Sequence, residues 1–493
     1  MTWKRPLLIY PYSPDKKSEM LYGGLALINP IGLEVVAARL KPVVEEIMLL
    51  DMRLEKEPLP ALIRRFRPDF IGVSLNWGRD KFTDALMHAL PKDITLAVGG
   101  LYPTRNPDEV LAEFLELDIL SLGYGEDSLR ELVERGSPQG VAGLWFRRQA
   151  GAYPPGPARQ GLPAAGGELV KNPMRETVDV THFHLDRSVR RYDYPWLTLK
   201  GDNIITSIGC PMVCAFCKWR ENIFGQIQPW EARTPEDVVA ELAETDATIV
   251  HIVDANFAHD LARVERICDL LIQRDIRHLY ACEIRVNALW KDAALVKKME
   301  QAGFFMFMVG VETYQPRLLK AMRKGYTVKM CRQAFENLSH TKILTLGNFL
   351  IGNPGETEEE MLGIADFAAD LGLDFISPNK IYAYENTDFE QWVLAQPGYR
   401  VEGRRRYVVS DQFGVEDLRR IQARIMLRFL RKHPPWIPYS KALDHPMVRK
   451  IGKERLRRAM LRSLLAHIAS PHFRRRALSK LAKRFRKPRR AAV

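Results

Sequence analysis

From its start to about residue 135 the chain alternates short apolar runs with amphipathic helical patterns. "PLLIYPY" reads as a strand, and "GLEVVAARLKP" spaces its apolar residues along one helix face. The pairing recurs as "EEIMLLDMR" with "LPALIRRFRP", "DFIGVSLNW" with "FTDALMHALP", "ITLAVGG" with "NPDEVLAEFLE", and "DILSLGYG" with "EDSLRELVERG". Apolar runs without a polar face belong to strands covered on both sides. The pattern therefore predicts a doubly wound, Rossmann-like α/β domain with its ligand over the C-terminal strand ends. The alternation lapses across residues 136–200, where "AGAYPPGPARQGLPAAGG" reads as a linker or wrapping loop. It resumes near Asp202 with "NIITSI", "TIVHIVD", "HLYACEI", "FFMFMVGVE", "ILTLGNFLIG" and "FISPNKIYAY", separated by helices such as "TPEDVVAELAE" and "LARVERICDLLIQR". Six such units predict a full or partial β/α barrel with its chemistry at the strand C-termini. After residue 390 the chain reads as helical, with a break at "RKHPPWIPYS". The expected domains are 1–140, a wrapping segment 141–200, a partial (β/α)6 barrel 201–390, and a helical region 391–493.

A chain of 493 residues is too long for one core. Its 46% hydrophobic content suits a folded protein and argues against global disorder. No uncharged apolar run reaches membrane-spanning length. The opening run reads as a first strand rather than a signal peptide, so a cytoplasmic location is expected. Charge is uneven. Residues 449–493 hold 17 Lys and Arg against Glu454, a balance of +16; the whole chain is +13, so the rest sums to −3. Basic residues interleaved with Leu, Ile and Phe suit an anionic membrane surface, and "PPWIPY" adds interfacial aromatics. Peripheral contact with the inner membrane face is therefore expected in preference to nucleic-acid binding.

Three of the six cysteines crowd into "SIGCPMVCAFCKWR", directly after the first barrel strand. Cys210, Cys214 and Cys217 have the spacing C-x3-C-x2-C. Thiolates suit zinc or iron–sulfur clusters. Structural zinc needs a fourth ligand, and His182, His184, His251 and His259 lack zinc-finger spacing. A 4Fe–4S cluster on three cysteines would leave one iron open to a substrate. Cys268, Cys282 and Cys331 stand singly and read as buried small residues.

This loop, C-x3-C-x-aromatic-C with Phe216 as the aromatic, resembles the signature of the radical S-adenosylmethionine superfamily. The resemblance implies that the open iron is chelated by S-adenosylmethionine. It further implies reductive cleavage to a 5′-deoxyadenosyl radical that abstracts hydrogen from the substrate. A flavodoxin or ferredoxin would supply the electron. Phe216 would lie near the adenine. In "IVDANFAHD", Asp254 and Asn256 stand where the family meets the amino group of S-adenosylmethionine, although the common Gly-Gly-Glu version is absent. Arg285 in "EIRVN" could pair with its carboxylate, since a guanidinium suits bidentate carboxylate binding. Glu312, ending "VGVET", is a ribose candidate. Gly352 and Gly355 in "GNFLIGNPGETEEE" would allow close approach of adenosine. Thr357 and Glu360 fit a helix capping box. Lys324 in "MRKGYT" matches the family pattern without a derivable role. Tyr382 and Tyr384 end the last barrel strand and could face either the site or the core.

A doubly wound domain ahead of such a barrel resembles the cobalamin-binding members, the magnesium-protoporphyrin ester cyclase and C-methyltransferase group. The matching landmarks are "NPIGLEVVAARL", Asp51, Ser74 in "GVSLNW", Gly99 and Gly100 in "VGGLYPT", and Gly123 and Gly125 in "GYGED". The D-x-H-x-x-G motif that supplies histidine to cobalt is absent, and no histidine precedes His88. The implied activity is radical modification of a hydrophobic small molecule, with methylation if cobalamin binds. The alternatives are a cobalamin-independent radical enzyme with a vestigial first domain, and an electron-transfer protein. The second would favour four protein ligands on its cluster. RNA methylthiotransferases of the superfamily carry an additional cysteine-rich N-terminal domain, whereas no cysteine precedes Cys210 here.

Overall fold

A computed structural model describes residues 3–12, 27–76, 79–148, 168–175, 178–218, 221–222, 224–385, 387–403 and 405–469. The Gly/Pro/Ala-rich stretch 150–167 and the tail from residue 470 lie outside the described residues.

The first sheet holds β1 (Pro6–Tyr10), β2 (Met48–Asp51), β3 (Phe70–Ser74), β4 (Thr95–Gly99) and β5 (Ile119–Ser121). These five are parallel, in the order β2-β1-β3-β4-β5. This is a doubly wound order, with a crevice where the winding reverses. Leu7, Ile9, Val73 and Val98 pack on one face with Leu62, Phe66 and Leu86. Leu8, Phe70 and Ala97 pack on the other with the helices Ile31–Leu40 and Gly125–Arg135, through Leu33, Val36 and Leu132.

Residues 141–200, read above as a linker, contribute strands. β6 (Leu144–Arg148) and β7 (Glu168–Lys171) extend the first sheet antiparallel beyond β5. β8 (Tyr194–Trp196) forms a hairpin with β9 (Leu199–Ile204) at the edge of the second sheet. Strands of three to five residues flanked by Pro and Gly carry too little alternation to stand out in a sequence.

The second sheet runs β9, β12 (Ile249–Ile252), β13 (Leu279–Ile284), β14 (Phe304–Glu312), β15 (Leu344–Ile351) and β16 (Phe375–Lys380), all parallel and in chain order. It is an open, partial barrel. Its helices cover one face through Val238, Ile267, Val296, Phe335 and Ile364. The other face is closed at the strand starts: Leu199, Ile249, Leu279 and Leu344 meet Leu443, Val448, Leu456 and Ala459. The first part of the basic region is therefore built into the core. The C-terminal region also contains a hairpin, β17 (Tyr399–Glu402) with β18 (Tyr407–Ser410), where the sequence predicts only helix.

A buried polar network joins the two sheets. Arg190 donates to Glu34 at 2.8 and 2.7 Å and pairs with Asp202 at 2.7 Å. Arg187 donates to Asp202 at 2.6 Å and to Glu241 at 2.8 Å. Burial pushes the Asp202 carboxyl up, but Arg190 and Arg187 outweigh it and hold it below the ordinary range. Around this network Ile31, Val35, Phe183 and Leu185 pack with Ile205, Ile208 and Val253.

Candidate active site

The cysteine loop leaves the C-terminal end of β9. A two-residue ladder, β10 (Ser207–Ile208) with β11 (Glu231–Ala232), closes its base. Gly209 has φ of 73°, and a Cβ there would lie 2.2 Å from the Pro229 oxygen, so only glycine fits. Beneath the base Asp254 is fully buried and accepts from Thr206 N at 2.7 Å, Thr206 Oγ1 at 2.5 Å and Ser207 Oγ at 2.7 Å. Burial pushes this carboxyl up, with Thr206 and Ser207 opposing. Asp254 thus anchors the loop.

None of Cys210, Cys214 and Cys217 is in a disulfide. Cys214 is the most buried, at 7% exposure. Its Sγ accepts from Arg285 NH1 at 3.2 Å, and Arg285 NH2 donates to the Lys324 oxygen at 2.5 Å. Arg285 Nε is buried and has no hydrogen-bond partner among the described residues; neither has Asn256 Oδ1. Glu312 sits at φ 58°, where the β14–β15 register shifts, and accepts from Lys324 Nζ at 2.8 Å. The Lys324 ammonium stands 5.7 Å from the Phe216 ring centre. Cys214, Phe216, Arg285 and Glu312 are thus brought to one end of the barrel, with Lys324 among them. Lys324 had no role in the sequence, because its partners lie on other elements.

Among the described residues no three His, Cys, Asp or Glu side chains converge as a single-metal site requires. A cubane asks for something different, since each thiolate takes its own iron. Three thiols outside any disulfide on a pinned loop, with the Arg285 guanidinium at Cys214 and unused polar atoms on Arg285 and Asn256, fit a cluster and its amino-acid ligand.

Gly352 and Gly355 both have positive φ. A Cβ on Gly352 would lie 2.9 Å from Leu418, so it admits the C-terminal helix Val415–Lys432. Gly355 N donates to the Tyr399 hydroxyl at 2.8 Å, and its oxygen accepts from Arg317. Both glycines shape the turn after β15. Glu356, which the sequence did not single out, accepts from Gly352 N, Asn353 N and Asn353 Nδ2. Burial pushes its carboxyl up to about 7. Thr357 and Glu360 form the predicted capping box. Tyr382 lies past β16, with its ring 5.4 Å from that of Tyr407. Tyr384 is 40% exposed, with Lys218 of the cysteine loop 6.0 Å from its ring centre.

The first sheet has a cavity of about 360 Å3 between its C-terminal strand ends and the helices Ile31–Leu40 and Gly125–Arg135. Ser74, Gly99, Gly100, Gly123 and Gly125 line it, as their positions suggested. Gly72 and Ala97 extend it down the sheet. The legible signal was alternation: Gly72 and Ser74 on β3, Ala97 and Gly99 on β4, and Ser121 on β5 place small side chains on one face. A sheet stripped of bulk on one face can accept a long ligand tail against its backbone, and the cradle fits cobalamin. Asp51 stands outside the cavity. It is fully buried, paired with Arg53 at 2.6 Å and 3.3 Å from the Tyr194 hydroxyl, because it ends β2 on the far side of β1.

The cavity abuts the cysteine loop. A Cβ on Gly123 would lie 2.5 Å from the Phe224 ring, and the Tyr124 hydroxyl donates to Gln228 at 3.3 Å. Phe224 and Gln228 belong to the returning arm of that loop.

Comparison with known proteins agrees with both halves. Residues 204–368 match the radical SAM superfamily model, and residues 26–133 match the B12 binding domain model. An uncharacterized methyltransferase of Pyrococcus horikoshii is 24% identical, over 82% of this chain and 86% of its own. The anaerobic magnesium-protoporphyrin IX monomethyl ester cyclase of Synechocystis is 23% identical, over 67% of this chain and 62% of its own. Among solved structures, the radical S-adenosylmethionine methyltransferase TsrM of Kitasatospora setae, with cobalamin and a [4Fe-4S] cluster bound, superposes with a TM-score of 0.60. The match covers 86% of this chain and 85% of TsrM at 18% identity, a likeness of fold. The chain belongs to the radical S-adenosylmethionine superfamily, and it carries a B12 binding domain ahead of its radical SAM barrel.

Proposed function

We propose that this protein is a cobalamin-dependent radical S-adenosylmethionine enzyme that methylates an unactivated carbon of a hydrophobic small molecule. The carrying observation is the direct packing of the first-sheet cavity on the cysteine loop, through Gly123 against Phe224 and Tyr124 with Gln228. A vestigial first domain would not need a glycine-lined cradle facing that loop. When bound, the cluster supplies the electron that cleaves S-adenosylmethionine, and cobalamin supplies a transferable methyl group. Cys210, Cys214 and Cys217 would hold three irons. Arg285 and Asn256 would receive the methionine carboxylate and amine through their unused polar atoms. Val213 and Tyr384, 52% and 40% exposed around the cysteine loop, support an apolar substrate, as does the tetrapyrrole ester in the name of the cyclase relative.

Anaerobic reconstitution tests this reading. Purified chain should take up one cobalamin, visible in its absorption spectrum, and about four irons, and should form 5′-deoxyadenosine from S-adenosylmethionine under reduction. A protein that cleaves S-adenosylmethionine yet takes up no cobalamin would establish the cobalamin-independent alternative.

We also propose that the C-terminal region rests on an anionic membrane surface. No described helix is long and apolar enough to cross a membrane. Leu427, Leu430, Trp436 and Ile437 are exposed, with Trp436 at 69%, on a stretch that also carries Arg431 and, paired with Glu358 and Asp366, Arg424, Arg428 and Lys432. Burying such residues beside a basic rim suits a headgroup layer. Trp436→Glu with Ile437→Glu should lower co-sedimentation with phosphatidylglycerol vesicles by about tenfold. Unchanged sedimentation would assign the patch elsewhere.

A further inference from the structure

After the helix Pro316–Ala321 the chain turns back. Lys324 N donates to the Leu319 oxygen at 3.1 Å and Arg323 N to the Lys320 oxygen at 3.0 Å, with Arg323 at φ 53°. These paired bonds are a Schellman cap. The cap sends Met322–Tyr326 across the cysteine end of the barrel. The Met322 oxygen accepts from Ala215 N at 3.0 Å, between Cys214 and Cys217. The Lys324 oxygen holds Arg285, the guanidinium that reaches Cys214. The Tyr326 hydroxyl donates to the Val311 oxygen beside Glu312.

Lys324 is only 4% exposed, and its ammonium pairs with Glu312. Gly310 makes the room: a Cβ there would lie 2.7 Å from Glu312 Oε1 and 3.3 Å from Lys324 Nζ. A buried carboxylate that loses its cation loses the partner that fixes its direction. Glu312 has a further reason to move, because its left-handed backbone conformation is one that side-chain-bearing residues seldom hold.

We propose that Lys324 is a positioning residue for S-adenosylmethionine, holding the Glu312 carboxylate aimed at the nucleoside beside Phe216. The inference rests on the reading under Proposed function and deepens it. A structural role alone predicts that loss of Lys324 lowers stability and leaves affinity intact. A positioning role predicts that affinity falls through Glu312.

Wild-type protein, Lys324→Met, Lys324→Arg, Glu312→Gln and the Lys324→Met/Glu312→Gln double variant are compared by three measurements. These are iron content after reconstitution, melting of the unloaded protein, and S-adenosylmethionine affinity by equilibrium dialysis. A wild type that takes up no iron or binds no S-adenosylmethionine overturns the parent reading and this one with it. Given a competent wild type, Lys324→Met should keep its iron and bind S-adenosylmethionine at least about tenfold more weakly. Lys324→Arg should recover part of that loss. The double variant should bind no more weakly than Glu312→Gln alone, because one residue acts through the other. Affinity of Lys324→Met within about twofold of wild type, whatever its melting temperature, overturns the proposal. If Lys324→Met does not fold, the double variant, which leaves no lone buried charge, carries the test. Equality with Glu312→Gln then supports the proposal, and a further tenfold loss overturns it.

Discussion

Replacing Cys214 by alanine should abolish cluster loading and S-adenosylmethionine cleavage while leaving cobalamin uptake at its wild-type level. Cys214 is the middle cysteine and the most buried of the three, and it takes the Arg285 hydrogen bond. A cubane on three thiolates is already one protein ligand short of the usual four, so losing another leaves two irons without a protein anchor. Iron per chain should fall from about four to well below one, and 5′-deoxyadenosine should not rise above the uncatalysed background. The cavity proposed for cobalamin is lined from β1, β3, β4 and β5, the segments beside them and Phe183, none of which contains this loop. Its occupancy, read from the absorption spectrum, should therefore be unaffected. Wild-type cleavage by the variant would exclude the radical mechanism. Loss of cobalamin together with iron would mean that the loop shapes the cradle.

The mirror experiment is Ala97→Leu. Ala97 is buried on β4 and lines the cavity near Gly72 and Gly99. Leucine at that position points three more carbons into the void. Filling a cavity removes empty space without exposing any polar group, so the unloaded protein should melt at or above the wild-type temperature. Cobalamin affinity should fall about a hundredfold or more, because the ligand and the new side chain compete for the same volume. Cleavage of S-adenosylmethionine should persist, since the second sheet is untouched, while methyl transfer is lost. A variant that melts early would show that Ala97 sits in filled core. Undiminished cobalamin affinity would place the cofactor elsewhere.

The long apolar strands were readable because parallel strands buried on both faces leave uninterrupted runs. "FFMFMVGVE" spans β14 from Phe304 to Glu312. The short strands were not, because β6, β7, β17 and β18 carry only four or five residues each, too few for alternation to stand out. The site divides in the same way. The cysteine loop is local, so its spacing was sufficient. Glycines at strand ends were local too, and Gly99, Gly100, Gly123 and Gly125 line the cradle together with Ser74. Asp51 satisfied the same strand-end criterion, yet it falls on the wrong side of the sheet, which strand order alone decides. Asp254 supports the loop from below through Thr206 and Ser207, a pairing across two strands. Lys324 is the clearest instance: its ammonium, its carbonyl and the neighbouring Met322 carbonyl meet three separate segments, at Glu312, Arg285 and Ala215, and no window of sequence displays them together.

The Arg190 network determines how this protein could be taken apart. Glu34 belongs to the first sheet's helix, Asp202 to the second sheet's first strand, and Arg190 to the segment between them. Cutting the chain on either side of Arg190 would strand at least one buried carboxylate without its cation, at a cost of about 3–5 kcal/mol. Neither half is then a portable module. A cobalamin domain excised from this chain, or a barrel grafted behind a different one, would inherit an acid with no counterpart. Recombination among such enzymes should respect the connector as a third, indivisible part that travels with both.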